Sequence, residues 1–260
     1  MAPTAPPFER LAERYDAWYE GPVGRVLFPA EVACLAPLLS GLPEPRLEVG
    51  VGSGRFAAAL DVGYGIDPAW APLVLAAGRG IHVVQAVGER LPFPDRSFGA
   101  ILLVVTLCFA DDPHALLAEA RRVLREDGAV VLGDVLAESR WGQHYRALGA
   151  EGHPFYSAAR FLTREETLDA LRQAGLRLAR VRSTLLQPPT EEPVPEPALE
   201  GENPEAGFAG WQSLSTASLG RPRPTVGTAL ATGPSTHVGG RAADPKSAAA
   251  EIDAPAEAPA

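Results

Sequence analysis

Three glycines at alternate positions form the part of the sequence best suited to hold a ligand. Residues 47–55 read LEVGVGSGR, which places Gly50, Gly52 and Gly54 where a short apolar run gives way to a helical pattern. Without side chains, this backbone can approach a ligand closely, and the start of the following helix offers free N–H donors. Two classes of nucleotide-containing cofactor use such a loop, and a tight turn without any ligand is the structural alternative.

Two charged residues discriminate between these cofactor classes. A dinucleotide fingerprint requires another glycine three positions after Gly52, and Arg55 occupies that position. Glu48, two residues before the first glycine, would repel a pyrophosphate but suits a ligand with an ammonium group and a sulfonium. S-adenosylmethionine carries both groups, so the sequence favours it over a nicotinamide dinucleotide.

An acidic residue at the end of the next predicted strand supports an adenosine site. Asp67 follows Gly50 by seventeen residues, and its carboxylate can accept hydrogen bonds from both ribose hydroxyls. A helix cap before Pro68 is the simpler interpretation of the same residue. Because Asp67 and the glycine loop are expected at the ends of adjacent strands, we interpret them together as a cofactor site.

These residues need a sheet to position them, and the sequence predicts one. Short apolar runs alternate with helical patterns, which indicates a parallel sheet wound by helices on both faces. Asp112 is predicted to cap a helix that stops before Gly128, and Thr163 with Glu166 forms a predicted capping box. The predicted strands are residues 46–49, 64–66, 82–86, 100–105, 129–133 and 176–186.

Four motifs, in order, resemble those of class I S-adenosylmethionine-dependent methyltransferases, in particular small enzymes of ubiquinone and small-molecule methylation. Their order and spacing agree over about residues 8–186. Segments 15–19 and 155–163 are similar to a subgroup of stand-alone bacterial and archaeal methyltransferases whose substrates are mostly unassigned. The four motifs are residues 47–55, 65–68, 88–98 and 118–125.

The resemblance implies a Rossmann-like, doubly wound α/β fold with a seven-stranded sheet, mostly parallel and with an antiparallel last strand. It also implies the residues that bind S-adenosylmethionine. Glu48, Gly50, Gly52 and Gly54 would surround the methionine part, Asp67 and Pro68 the ribose, Val87, Gly88 and Glu89 the adenine, and Val104, Val105 and Thr106 the methyl-donor channel. Because Val87 replaces an aspartate of many relatives, adenine recognition has to rest on backbone groups or on Glu89.

The predicted methyl acceptor is a small molecule with an oxygen, nitrogen or carbon nucleophile. No Asn-Pro-Pro-Tyr-like motif of base-methylating enzymes follows the fourth predicted strand. Residues 1–187 also lack the basic cluster that nucleic-acid binders use to neutralise phosphates. We therefore expect no nucleic-acid partner, and the oligomeric state is left open.

Catalysis is predicted to rest on aligning donor and acceptor more than on a dedicated base. Aromatic residues are expected to close the site, namely Tyr15, Trp18 and Tyr19 of the first helix and Phe155, Tyr156 and Phe161 before the last one. Core packing is the alternative for the first set. Tyr15, Tyr19 and His144 are the candidate catalytic residues, and His114 and His153 are further candidate bases.

Composition predicts a cytoplasmic enzyme without a membrane segment. The first residues lack the features of a signal peptide, and the longest apolar run, residues 100–110, is too short to span a bilayer. Cys34 and Cys108 lack the spacing of a metal or redox motif, so neither a metal nor a disulfide is expected.

The predicted organisation has five parts. These are helices covering the site in residues 1–40, the S-adenosylmethionine-binding core in 41–187, an acidic proline-rich loop in 188–206, the last strand in 207–216 and a disordered tail in 217–260. Two alternative functions remain open at this point. One is a non-catalytic S-adenosylmethionine sensor or partner subunit, and the other is a nicotinamide-dependent oxidoreductase.

Overall fold

The computed structural model describes residues 5–190 and 192–216, and the predicted tail lies outside the described residues. Eight strands form one sheet. They are β1 (Arg46–Val49), β2 (Tyr64–Asp67), β3 (His82–Gln85), β4 (Phe98–Val104), β5 (Leu124–Asp134), β6 (Leu176–Thr184), β7 (Leu199–Glu200) and β8 (Phe208–Ser215).

The sheet has the order β3-β2-β1-β4-β5-β8-β6-β7. Strands β1 to β5 pair in parallel, whereas β8 runs antiparallel to β5 and β6. The predicted doubly wound, mostly parallel α/β fold is confirmed. An eighth strand arises because the two exposed residues of β7, within the segment predicted as a loop, pair with the edge of β6. Two residues carry no periodicity that the sequence could show.

Eight α-helices accompany the sheet. They are α1 (Ala5–Arg10), α2 (Ala12–Trp18), α3 (Gly24–Leu39), α4 (Arg55–Ala59), α5 (Trp70–Gly78), α6 (Pro113–Val123), α7 (Arg140–Ala150) and α8 (Arg164–Gln173). The predicted caps are present: Asp112 accepts from the N–H groups of His114 and Ala115, and Thr163 and Glu166 form the capping box of α8. Helix α6 ends at Val123, earlier than predicted, because Leu124 already pairs with Phe98 in the sheet.

Two buried apolar clusters lie on the two faces of the sheet. Along β4, alternate side chains enter different clusters, with Leu102 in the first and Ile101 and Leu103 in the second. Helix α3 contributes Leu35 to the first cluster, and α6 contributes Leu117 to the second. This two-sided burial holds the carboxyl ends of the parallel strands at one edge of the sheet. Within the described part of the chain, no helix has the length and apolarity needed to cross a membrane.

Candidate active site

A cleft of about 740 Å³, including its mouth open to solvent, lies beyond the carboxyl ends of the parallel strands. Crevices in this position bind ligands in open α/β sheets. The structure brings eight of the ten predicted cofactor-binding residues to its wall, together with Val104 and Thr106. The eight are Gly50, Gly52, Asp67, Pro68, Val87, Gly88, Glu89 and Val105.

The three glycines of the loop serve different purposes. Gly52 has a φ of +51° and open space above it, since a Cβ atom there would meet only Tyr15 Cε1, at 3.5 Å. A Cβ atom on Gly50 would lie 2.6 Å from Thr106 Cγ2, and one on Gly54 would lie 2.9 Å from Ala76. Gly54 thus permits α4 to pack against α5 and does not line the cleft. Gly52 is the glycine that leaves room for a ligand.

Asp67 ends β2 and links it to the glycine loop. Its Oδ2 accepts from the Gly52 N–H at 3.0 Å, and its Oδ1 accepts from the Ala69 N–H at 2.9 Å. Burial raises the pKa of Asp67 to about 6, against the effect of these two hydrogen bonds. The carboxylate thus caps the following turn, which agrees with the interpretation of Asp67 as a helix cap. It still has acceptor capacity toward the cleft, because a carboxylate offers about four lone-pair sites.

Glu48 does not reach the cleft wall. Its side chain is 2% exposed, and its Oε2 has no hydrogen-bond partner among the described residues. Burial raises the pKa of Glu48 well above its ordinary value, which favours the neutral acid beneath the loop. The predicted contact with the methionine part of the cofactor stays a prediction.

Glu89 fixes the loop at the opposite end of the cleft. Its Oε1 accepts from the N–H groups of Asp111, at 2.9 Å, and Asp112, at 3.3 Å. Asp111 lines the cleft as well, and the sequence interpretation missed it. Val87 and Gly88 present their backbone nearby, and a Cβ atom on Gly88 would lie 2.7 Å from Leu116 Cδ1.

The N-terminal helices are tied to the cofactor loop by a charged cluster. The Asp16 carboxylate of α2 accepts from Arg55 Nε at 2.8 Å and from Arg79 Nη2 at 2.9 Å. Burial disfavours ionisation of Asp16, but the hydrogen bonds from these two guanidinium groups outweigh it and lower the pKa below its ordinary value. Arg55, which stands in place of the dinucleotide-type glycine, therefore anchors α2 beside the cleft.

A second, larger cavity of about 1700 Å³, including space open to solvent, adjoins the first. The two share the side chains of Phe8, Tyr15, Val105 and Phe109. All six predicted aromatic residues line this cavity, which also contains three residues that the sequence interpretation missed: Glu31, Trp141 and Tyr145. The sequence could have pointed to Glu31, since it is the only charged residue between Arg25 and Glu44.

Aromatic contacts connect these walls. The hydroxyl groups of Tyr15 and Tyr19 are 3.1 Å apart, and burial raises the pKa of Tyr15 to about 12. Tyr145 stacks on Tyr156 with ring centroids 4.5 Å apart. Each hydroxyl is thus a neutral group in the cavity near pH 7. The two candidate tyrosines also belong to the packed core around α3, so the core-packing alternative describes part of their role.

Two of the three candidate histidines reach the cavity. His144 lies exposed on α7 at its rim, and His153 stacks on Tyr156 with centroids 4.5 Å apart. Burial, together with the nearby charge of Arg14, lowers the pKa of His153, so the ring is neutral near pH 7. His114 is exposed at the start of α6 and lines neither space.

Known proteins are similar to this chain in sequence and in fold. A family described as a methyltransferase domain matches residues 47–132. An uncharacterized protein of Mycobacterium tuberculosis is 46% identical over 180 residues, and the match covers 69% of this chain and 63% of that protein. An uncharacterized protein of Methanocaldococcus jannaschii is 32% identical, with 69% of this chain and 85% of that protein covered.

A solved structure from Thermotoga maritima is similar over most of the described chain. It is described as an SAM-dependent methyltransferase and possible histamine N-methyltransferase, with 35% identity, a TM-score of 0.73, and 81% of this chain and 99% of that chain covered. The cleft at the strand ends, its glycine loop and these similarities agree. The chain belongs to the S-adenosylmethionine-dependent methyltransferases.

Proposed function

We propose that this chain transfers the methyl group of S-adenosylmethionine to a small organic molecule held in the aromatic cavity. The observation that carries the proposal is the shared wall, because Phe8, Tyr15, Val105 and Phe109 border both spaces. A donor in the cleft and an acceptor in the cavity would meet at these residues.

The residues present fit the cofactor. The open space above Gly52 leaves room for the methionine part, and the unused lone pairs of Asp67 suit ribose hydroxyls. We assign the adenine to the backbone of Val87 and Gly88 and to Oε2 of Glu89, since both backbone hydrogen bonds to Glu89 go to its Oε1. When bound, S-adenosylmethionine supplies an electrophilic methyl group on a sulfonium.

The protein contributes chiefly alignment and exclusion of water. Side chains of α1, α2 and α7 enclose the acceptor cavity, and Tyr15 and Val105 would hold the acceptor atom in line with the donor. Well-oriented binding of this kind can supply about 7–11 kcal/mol of a barrier. No histidine is needed for this contribution.

A methyl-transfer assay over a panel of metabolites tests the proposal. Formation of S-adenosylhomocysteine that depends on an acceptor is the expected result. Because the Thermotoga maritima protein is described as a possible histamine N-methyltransferase, amines belong in the panel beside phenols, carboxylic acids and carbon acids.

A non-catalytic sensor is the main alternative. Such a protein binds the cofactor in calorimetry but forms no product with any acceptor. Thermal stabilisation by a nicotinamide dinucleotide and not by S-adenosylhomocysteine would instead contradict the cofactor assignment.

A further inference from the structure

Glu31 is a buried carboxyl group that faces the acceptor cavity. It lies on α3 between apolar neighbours, is 8% exposed and lines the cavity. Among residues 5–190 and 192–216 it has no hydrogen-bond or ion-pair partner, and burial alone raises its pKa, to about 8. Buried carboxyl groups are normally paired, because leaving one unpaired is costly. A ligand in the cavity would supply the missing partner.

Aromatic rings surround this carboxyl group. Its charge contributes to raising the pKa of four phenols, those of Tyr15, Tyr19, Tyr145 and Tyr156, which places it within their electrostatic reach. The faces of aromatic rings carry negative electrostatic potential and attract cations. Burial favours the protonated form of Glu31 near neutral pH, and a cation bound beside it would favour the carboxylate, so acid and rings together suit a positive charge.

The basic side chains that line the cavity do not pair with Glu31. Arg14 and His144 are exposed at the rim, and His153 is neutral near pH 7. None of them pairs with Glu31 in the structure. Among the described residues, the interior therefore presents one acidic group and no basic partner for it. A bound amine would supply that partner and favour the ionised carboxylate, whereas a phenol or alcohol would leave Glu31 a neutral acid.

From this arrangement we infer that the acceptor is a small organic amine, with its nitrogen held by Glu31 and enclosed by the surrounding rings. This inference rests on the proposed function and specifies its substrate class. The ammonium form binds the carboxylate as an ion pair, and the rings exclude water from the pair. The alkyl or aryl part of the amine lies against Trp141 and Phe161, which line the same cavity.

The chemistry balances with Glu31 as proton acceptor. One N–H bond of the ammonium group breaks and its proton moves to the Glu31 carboxylate, which leaves a lone pair on nitrogen. That lone pair forms the N–C bond to the donor methyl group as the C–S bond breaks, with its electron pair remaining on sulfur. The products are a methylated ammonium ion and a neutral thioether, and the proton on Glu31 leaves to solvent when the product departs. Burial of Glu31 acts in the direction of this transfer, because it favours the protonated acid.

Matched pairs of probes test the inference on the full chain. The amines are 2-phenylethylamine, tyramine and cyclohexylmethylamine, and each has the alcohol of the same skeleton as its partner. Calorimetry in the presence of S-adenosylhomocysteine measures their binding, and product formation from S-adenosylmethionine measures transfer. We expect at least one amine to bind at least tenfold more tightly than its alcohol and to be methylated on nitrogen.

Glu31→Gln keeps the size of the side chain and removes its charge. It should weaken amine binding at least tenfold and leave alcohol binding and S-adenosylhomocysteine binding unchanged. Glu13→Gln, at an exposed position of α2, is the matched control and should leave all three unchanged.

Four outcomes separate the two proposals. If no amine binds more tightly than its alcohol, or if Glu31→Gln binds the amine as well as the native chain does, the inference is wrong. Methylation of a hydroxyl acceptor alone would also overturn it, while the proposed function would stand. Failure of the native chain to bind S-adenosylhomocysteine would overturn the proposed function itself.

Discussion

The cofactor cleft and the aromatic cavity are built by different means. The cleft is formed mainly by short segments that directly follow strands, such as Gly50 and Gly52 after β1 and Asp67 at the end of β2. The cavity is formed by side chains from α2, α3 and α7, which are far apart in the sequence. Backbone geometry determines the first, and tertiary packing determines the second. Any chain with this backbone fold therefore keeps the cleft, whereas the substitution of a single side chain can change the shape or charge of the cavity.

Substitution of Gly52 should have the largest effect on the affinity of the cleft for the cofactor. Gly52→Val places a side chain in the open space and strains a positive φ, so we expect S-adenosylhomocysteine affinity to fall at least about 100-fold, or roughly 2.7 kcal/mol. Gly63→Val is the matched control, since a Cβ atom there meets nothing within 4 Å. Calorimetry checks both variants, and equal affinities would contradict the role of Gly52.

Asp67→Ala should have the next largest effect. Loss of hydrogen bonds to a charged acceptor should weaken S-adenosylhomocysteine binding by about 1.5–3 kcal/mol. Asp127→Ala removes an exposed carboxylate whose ion-pair partner among the described residues is Arg125, and it should leave the affinity unchanged. An unchanged affinity in Asp67→Ala would place the ribose elsewhere.

The same contrast explains what the sequence could predict. Gly52 and Asp67 could be recognised because strand ends, glycine spacing and an acidic residue are local signals. Glu48 was expected at the cleft because its charge suited the ligand, but the strand directs its side chain into the protein interior. Its charge alone could not show this burial, and its contact with the methionine part stays a prediction.

The cavity was harder to predict. The sequence could show two groups of aromatic residues, one with Tyr15 and Tyr19 and one near Tyr156. No local signal shows that the fold brings the two groups together. Tyr145 lies on α7, a helix that was not predicted, and it completes the wall only through stacking on Tyr156. Glu31 differs, because a single carboxylate in an apolar helix is an inconsistency visible in the sequence.

The pH dependence of stability tests whether Glu31 is buried in the wall of the cavity. Burial raises the pKa of Glu31 from 4.5 to about 8, so between these values the folded chain holds a proton that the unfolded chain has released. Native stability should then fall as pH rises through this window, by up to about 1.4 kcal/mol per pH unit. Glu31→Gln lacks this group and should be more stable than the native chain at pH 8 by several kcal/mol, because about 1.4 kcal/mol per pH unit accumulates over the window.

Urea unfolding at pH 5, 6.5 and 8 measures this difference. Gln and a protonated Glu are similar in size and polarity, so the two proteins should differ least at pH 5. Parallel stability curves over the whole range would show that Glu31 is not held in a dry environment. Glu13→Gln serves again as the control at an exposed position.

The histidine variants should have the smallest effects. His144→Ala and His153→Ala should change turnover by less than about threefold, whereas loss of a general base costs about 100- to 10,000-fold. His114→Ala, outside both spaces, is the control, and Tyr15→Phe and Tyr19→Phe provide the comparison for the aromatic wall. Initial rates at saturating cofactor measure turnover. A collapse in one histidine variant with cofactor affinity intact would identify a base and contradict the alignment mechanism.

Tyr15 belongs to both spaces, and this has a thermodynamic consequence. Its ring lies 3.5 Å from the position of a Cβ atom on Gly52, and its hydroxyl bonds to Tyr19 in the wall of the cavity. Any change in the position of this ring on cofactor binding therefore alters the surface that the acceptor meets. Linkage makes the coupling reciprocal: the factor by which the cofactor changes acceptor affinity equals the factor by which the acceptor changes cofactor affinity. Under the proposed function, Tyr15 would therefore couple the affinities of the cofactor and the acceptor.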